Sequence, residues 1–233
     1  MAELPAPSAT PQRLASLLIG LPALLEIVLV THHPIAPRSS HGGASFGGIQ
    51  AVMLTNLLFH ALLMVILVGQ TLGLLLFARR LGLGRPLVLV GLIFCGLASV
   101  LLTVAMTFDG FVTYELVSAC SASPMGCTAA TAESLHIVLA TIQAFTKLGF
   151  GAQCLGFAAL GTAMWLPRQP IRAFALACVA VALAPVALIT AQGRLGPVQL
   201  AEILALLAVW GLCAAFVLFR GLYDPSSGTA RAN

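Results

Sequence analysis

Charged residues are scarce in this sequence: they make up 8% of the chain, whereas hydrophobic residues make up 60%. A water-soluble domain of 233 residues could not enclose so much apolar surface in one core, so a soluble fold is excluded. Also absent are a phosphate-binding loop followed by Lys, His-Glu-x-x-His and Gly-x-Ser-x-Gly, the motifs of nucleotide hydrolysis, zinc proteases and serine hydrolases. Basic and aromatic residues do not interleave, which argues against nucleic acid as a partner. The bilayer is the expected solvent.

Apolar runs of about 18 residues or more predict membrane-spanning helices. Six such runs occur, which predicts an all-α fold, a polytopic bundle of about six transmembrane helices forming a single domain over residues 1–233. The predicted spans are Gln12–Val30, Ala51–Phe77, Leu87–Phe108, Ser134–Trp165, Ala173–Ala191 and Val198–Phe219. The segments 32–50 and 109–133 are rich in Gly, Ser, Thr or Pro and are predicted to be loops.

Arginine is distributed unequally between the two sets of helix ends. Eight arginines flank the set that includes both chain termini, and two flank the other set. Because positive residues are retained in the cytoplasm, both termini are predicted to be cytoplasmic and the 32–50 and 109–133 loops to be exoplasmic. The expected location is a bacterial inner membrane, in contact with the lipid bilayer.

The six cysteines fall into two groups. Four lie within predicted spans without Cys-x-x-Cys spacing and are expected to be packing residues: Cys95, Cys154, Cys178 and Cys213. Cys120 and Cys127 lie in the 109–133 loop, on the side of the membrane where disulfides persist. A disulfide between them is predicted, and it would stabilise the loop by roughly 2–3 kcal/mol in the chain-entropy model.

Ionisable side chains within the apolar runs cluster toward the predicted exoplasmic end. Each costs on the order of 2.5–3.5 kcal/mol at the centre of a membrane helix, so such groups usually pair or line a cavity. Glu26 and His33 share one face of the first helix, and Asn56 and His60 share one face of the second. The fourth span carries a polar stripe about 80° wide, formed by Glu133, His136, Gln143, Lys147 and Cys154. If these faces point inward, they form one exoplasmic-side polar pocket, to which Glu202 is also assigned.

Glu133 and His136 have the i, i+3 spacing of helical carboxylate–histidine metal sites. Together with His33 and His60 they are the candidate ligands of a metal ion, and an imidazole-rich set suits Zn, Cu or Fe. Alternatively, His60 paired with His136 or His33 could ligate haem axially. The resulting hypothesis is metal or haem binding in a redox or metal-handling role.

Two other classes of function stay open. Lys147, Glu26, Glu133 and Glu202 could form a relay in a small proton-coupled transporter. Alternatively, the polar stripes could hold helices together in an accessory or assembly subunit of a larger membrane complex, or in a homo-oligomer. Small residues on the fourth span favour close helix contact: Gly149, Gly151, Gly156, Gly161, Ala159 and Ala163.

Enzyme activity is undecided by the sequence. For a membrane-embedded hydrolase, Ser118 and Ser134 are the only plausible nucleophiles, and no base is assigned to either. Lys147 also has two possible roles, because it either lines the pocket or extends its amine to the lipid headgroups.

Overall fold

The computed structural model describes residues 9–34, 46–122, 129–165, 172–191 and 193–220. Within these ranges every regular element is a helix: α1 (Ala9–Thr31), α2 (Phe46–Leu81), α3 (Pro86–Met106), α4 (Thr113–Ala122), α5 (Ala129–Trp165), α6 (Arg172–Ala191) and α7 (Pro197–Phe219). A π-helical segment, Thr107–Val112, joins α3 to α4 without a break. The predicted all-α fold is confirmed.

The helices have the length and composition of membrane spans. In the described part of the chain, five stretches are long and apolar enough to cross a bilayer: Gln12–Thr31, Gln50–Leu81, Pro86–Ala122, Ala129–Met164 and Pro197–Phe219. The apolar part of α6, Ala175–Ala191, is shorter. The whole of α6 has 20 residues, which corresponds to about 30 Å, close to the thickness of the hydrocarbon core. The polytopic membrane bundle predicted from the apolar runs is confirmed.

The segment predicted as a loop over 109–133 is largely helical. Helical structure continues from Pro86 through the π segment to Ala122, and α5 begins at Ala129. Val117 and Cys120 are buried, so packing holds α4 in place despite the polar residues that predicted a loop. Cys127 lies outside the described residues, and the Cys120–Cys127 disulfide stays a prediction. In the other predicted loop, α2 already begins at Phe46, and residues 35–45 lie outside the described part of the chain.

Small residues let α3 and α5 pack closely along most of their shared length. A Cβ added to Gly156 would lie 2.6 Å from the sulfur of Cys95, and one added to Gly149 would lie 2.7 Å from Cγ of Leu102. Gly161 instead approaches α6. For Gly149, Gly156 and Gly161, the close helix contact predicted from the small residues of this span therefore occurs within the chain.

The helices pack unevenly around a central cavity. α1 packs mainly against α7 and α2, whereas α5 packs mainly against α3 and α6. Direct contact between α5 and either α2 or α7 is slight in the described residues, because the cavity lies between them. Phe157 of α5 stacks on Trp210 of α7, with ring centroids 3.9 Å apart, and these aromatic side chains bring the two helices together.

Candidate functional site

Two histidines and one aspartate come together near the end of α1. His33 follows α1, His60 lies within α2, and Asp109 belongs to the π segment. One potential ligand atom from each side chain lies within 4.8 Å of the other two. His60 Nε2 and Asp109 Oδ2 are 3.3 Å apart, and the rings of His33 and His60 meet edge to face with centroids 5.6 Å apart. We call these three residues the triad.

Backbone carbonyls determine which ring nitrogens carry the protons. His60 Nδ1 lies 2.8 Å from the carbonyl oxygen of Asn56, one turn earlier on α2. His33 Nδ1 lies 3.0 Å from the carbonyl oxygen of Pro34. A carbonyl oxygen only accepts hydrogen bonds, so each Nδ1 must donate a proton. Each neutral imidazole therefore retains its lone pair on Nε2.

The π segment and its glycine position Asp109 against α2. Asn56 Nδ2 donates to the Asp109 carbonyl oxygen at 3.0 Å and to its side-chain Oδ1 at 3.3 Å. Gly110 packs so closely that an added Cβ would lie 2.8 Å from His60 Cβ. The widened π turn also presents the Phe108 carbonyl to the hydroxyl of Thr113, which donates to it at 3.0 Å. The Asp109 carboxylate is thus held against α2, by Asn56 and by the close approach of the π segment to His60.

The triad brings hydrogen-bond acceptors together. With its proton on Nδ1, His60 offers a lone pair at Nε2 to a carboxylate oxygen 3.3 Å away, and two acceptors repel unless a proton or a cation lies between them. His60 is buried, whereas the Asp109 side chain is 31% exposed. Burial lowers the pKa of His33 below its ordinary value, with Asp109 opposing this shift and His60 adding to it. The neutral, lone-pair-bearing form of His33 is therefore favoured.

The triad lies at one end of a cavity of about 160 Å³. Most of the wall is apolar, and a second polar group consisting of Glu26, Gln70 and Gln153 also lines it. The apolar lining comes from several helices: Val30, Phe59, Leu63, Leu67, Leu102, Ala105, Met106, Ile142, Phe150, Leu200 and Leu204. The site is therefore a mainly apolar chamber with polar groups at separate places along it.

No protein-family model, curated protein or solved structure matches this chain. The site is accordingly interpreted from its own chemistry. Two imidazoles and one carboxylate are groups that bind transition-metal ions. The carbonyl bonds to both Nδ1 atoms are the outer-sphere contacts that metal-binding histidines usually make.

Several residues predicted for the pocket lie in or beside it. His33, His60, Glu26 and Gln143 line the cavity. Asn56 lies behind the triad and holds Asp109.

Gln143 and Lys147 of α5 hold the segment between α6 and α7. Gln143 Nε2 donates to the Leu195 carbonyl oxygen at 3.1 Å, and Gln143 Oε1 accepts from the Leu195 backbone N–H at 2.8 Å. Lys147 Nζ donates to the Gly193 carbonyl oxygen at 2.8 Å. Gln143 therefore ties this segment to the cavity wall, and the Lys147 amine is directed to the same segment.

The structure does not bring Glu133, His136 or Glu202 into the cavity. All three side chains are exposed, and none belongs to the group of potential metal ligands found in the described residues. With 37 residues, α5 is roughly 55 Å long, far longer than the hydrocarbon core, so Glu133 and His136 at its beginning extend past the cavity. Their i, i+3 spacing places Glu133 and His136 on one face of α5, but in this first part of the helix that face does not line the cavity.

Sequence reasoning did not assign Asp109, Gln70 and Gln153 to the pocket. The sequence predicts Asp109 at the start of a loop, directly after the third span, whereas the π segment turns it toward His60. Gln70 and Gln153 each lie ten residues beyond a predicted pocket residue on the same helix, His60 and Gln143. Around α2, Gln70 lies about 40° from Asn56 and about 80° from His60, so continuing that polar face along the helix would have identified it. Around α5, Gln153 lies about 80° outside the polar stripe, so the stripe does not identify it.

Proposed function

We propose that this protein binds a divalent transition-metal ion through His33, His60 and Asp109. The observation that carries the proposal is the arrangement of the triad: three potential ligand atoms lie within 4.8 Å of one another, and both imidazoles have Nδ1 bonded to a carbonyl. Those bonds keep the proton of each neutral imidazole on Nδ1, so that the lone pair on Nε2 can bind a cation. A bound cation would also remove the repulsion between His60 Nε2 and Asp109 Oδ2.

The ligand set suits borderline metals such as Zn, Fe(II) and Cu(II), because imidazole nitrogen favours them and one carboxylate supplies charge. Two histidines and a carboxylate leave further coordination positions open. The cavity adjoins the triad, so an exogenous ligand could occupy such a position. Because a second molecule could bind the metal at these open positions, we propose a role in metal handling or in a reaction at the metal ion.

A small local adjustment would complete the site. Ligand atoms about 2.1 Å from a common ion are at most about 4.2 Å apart. The widest separation in the triad is at most 4.8 Å, so closure by about 0.6 Å is sufficient to meet that limit, and a regular tetrahedral site needs somewhat more. Asp109 is partly exposed, so its carboxylate has room to approach.

The same geometry favours a metal ion over the other hypotheses. A haem iron bound to His60 would have to occupy the space next to Nε2, but the Asp109 carboxylate already lies there, 3.3 Å from Nε2. A proton relay through Glu26, Glu133, Glu202 and Lys147 would need these groups to be close together, but Glu26 lines the cavity and the other two carboxylates are exposed. Among the residues that the structure describes, no comparable side-chain cluster supports an assembly role.

We further propose that the triad lies toward the exoplasmic side of a bacterial inner membrane. The arginine-rich helix ends, which the positive-inside rule assigns to the cytoplasm, are the ends opposite to the triad on α1 and α2. A metal would then reach the site from outside the cytoplasm. Labelling of single cysteines placed in the 78–86 and 32–50 segments of a cysteine-depleted protein tests this orientation in intact cells.

The decisive experiment is metal binding by purified protein. Chelator-treated protein would be titrated with Co²⁺, which gives visible absorption bands when bound by nitrogen and oxygen ligands, and the metal retained after Zn²⁺ loading would be measured by elemental analysis. His60→Ala and Asp109→Asn remove triad ligands. His136→Ala and Glu133→Gln are their matched controls, because they likewise remove one imidazole and one carboxylate charge, at exposed positions on α5.

We expect about one metal ion per chain in the wild-type protein and in both controls. Binding should weaken at least about 100-fold in His60→Ala and Asp109→Asn, because each loses a direct ligand. Equal binding by all five proteins, or loss of binding only in the α5 variants, would refute the triad as the site. A Soret band in the purified protein that disappears in His60→Ala would instead support haem.

A further inference from the structure

The second polar group of the cavity lies deep in the bundle. Glu26, Gln70 and Gln153 come from α1, α2 and α5 and are 7%, 2% and 5% exposed. Gln153 Nε2 donates to Gln70 Oε1 at 3.4 Å, and Gln70 in turn hydrogen-bonds with the Glu26 carboxylate. We call these three residues the inner cluster.

The inner cluster retains hydrogen-bonding capacity toward the cavity. A primary amide has two N–H donors and an oxygen with two lone pairs, and a carboxylate has about four acceptor sites. The contact from Gln153 is long for an N–H···O bond, and it uses one of its two donors. All three residues line the cavity, so a ligand there could receive a hydrogen bond from Gln153 and donate one to an oxygen of the cluster.

The inner cluster and the triad are separate sites. His60 and Gln70 are ten residues apart on α2, which corresponds to about 15 Å along the helix. Leu63 and Leu67 line the cavity between them. A small ligand at the inner cluster therefore does not reach the triad, and its binding does not depend on a metal.

The dimensions of the cavity limit the size of this ligand. The whole cavity, including its triad end, has a volume of about 160 Å³, similar to that of an engineered apolar cavity of about 150 Å³ that holds benzene, so a single ring is the upper limit. Leu67, Leu102 and Phe150 form part of an apolar wall near the inner cluster. A charged ligand would lose its hydration here at great cost, whereas a neutral hydroxyl can both donate and accept.

We propose that the inner cluster binds a neutral single-ring alcohol or phenol. The ring occupies the apolar part of the cavity, and the hydroxyl hydrogen-bonds with Gln153 and an oxygen of the inner cluster. This site goes beyond metal binding, because none of its three polar residues belongs to the triad. It also gives the deep polar groups of α1, α2 and α5 a common role.

The test compares two fluorinated probes by ¹⁹F NMR in nanodiscs. 4-Fluorophenol has the ring and the hydroxyl, and fluorobenzene has the ring alone. The protein is treated with EDTA, so the result is independent of the triad and its failure is distinguishable from failure of metal binding. Ala105→Phe places a ring in the cavity, and Leu97→Phe, on the lipid-facing side of the same helix, is its matched control. Gln153→Met removes the amide while keeping a long unbranched side chain.

Wild type and Leu97→Phe should broaden and shift the 4-fluorophenol signal beyond the effect of empty nanodiscs, and Ala105→Phe should not. Gln153→Met should weaken 4-fluorophenol binding about fivefold and leave fluorobenzene binding unchanged, because only the hydroxyl loses a partner. Signals in wild type that match those of empty nanodiscs would overturn the proposal. The same conclusion would follow if Gln153→Met, shown to be folded by its melting curve, bound both probes as wild type does.

Discussion

Gly110→Ala gives the sharpest structural test of the triad, because it adds a single carbon beside His60. The new Cβ would lie 2.8 Å from His60 Cβ and 3.4 Å from its Cγ. Carbon atoms pack favourably at about 3.5 Å or more, so the π segment and α2 must separate by about 0.7 Å. That shift would lengthen the 3.3 Å contact between His60 and Asp109. It would also move the potential ligand atoms of the triad further apart.

We expect a metal affinity about 10 to 100 times lower, the effect of disturbing the support of a ligand. Overpacking costs about 1–3 kcal/mol, whereas replacing glycine in a helix contributes about 0.5–1 kcal/mol, which leaves a net loss of roughly 1 kcal/mol. Competition with a metal-binding dye measures the affinity, and thermal unfolding in the same detergent measures the stability.

The matched control is Gly96→Ala on α3. A Cβ there would meet no atom within 4 Å, so we expect unchanged metal binding and a gain of about 0.5–1 kcal/mol. If Gly110→Ala and Gly96→Ala bound metal equally well, the reasoning that places His60 and Asp109 in one site would be refuted.

Three further predictions concern packing, a backbone contact and a titration. Gly156→Ala should cost about 1–3 kcal/mol, because its Cβ would lie 2.6 Å from a sulfur of α3, whereas Gly151→Ala, with no neighbour within 4 Å, should not destabilise the protein; thermal unfolding distinguishes them. Gln143→Leu should cost about 1–3 kcal/mol by removing both backbone contacts at Leu195, and the Leu195 amide should exchange hydrogen faster; unchanged exchange would contradict this assignment. Because burial lowers the pKa of His33 from 6.5, its NMR titration in metal-free protein should have a midpoint below pH 6.5, and stability should fall as the pH drops below that value; a midpoint above it would contradict the burial argument.

The apolar runs were sufficient to predict the helical membrane bundle, because each crossing of the bilayer requires about 20 consecutive apolar residues. The continuation of helical structure beyond Phe108, where the apolar run ends, could not be predicted in the same way. Polar residues in 107–115 are typical of a loop, yet the chain continues as a π segment and α4, where Val117 is buried. Packing against the other helices, which the local sequence does not reveal, decides that outcome.

The candidate site was predictable in part for a related reason. His33 and His60 lie on faces that spacing could identify, and both line the cavity. Glu133 and His136 also share a face, but spacing within one helix gives neither its rotation nor its height relative to its neighbours. Asp109 reaches His60 because it lies in a π turn and because Gly110 allows that turn to pack closely on α2. Neither feature can be recognised from the spacing of residues in the sequence.

The slight contact of α5 with α2 and α7 has a mechanical consequence. The glycine-mediated contact between α3 and α5 lies on one side of the cavity, and the packing of α1 against α7 lies on the other. A rocking motion that separates these two sides would break the Phe157–Trp210 stack and the Gln70–Gln153 hydrogen bond, but it would leave the α3–α5 and α1–α7 packing intact. The chamber could therefore admit or release a guest molecule by hinging, without any helix unfolding.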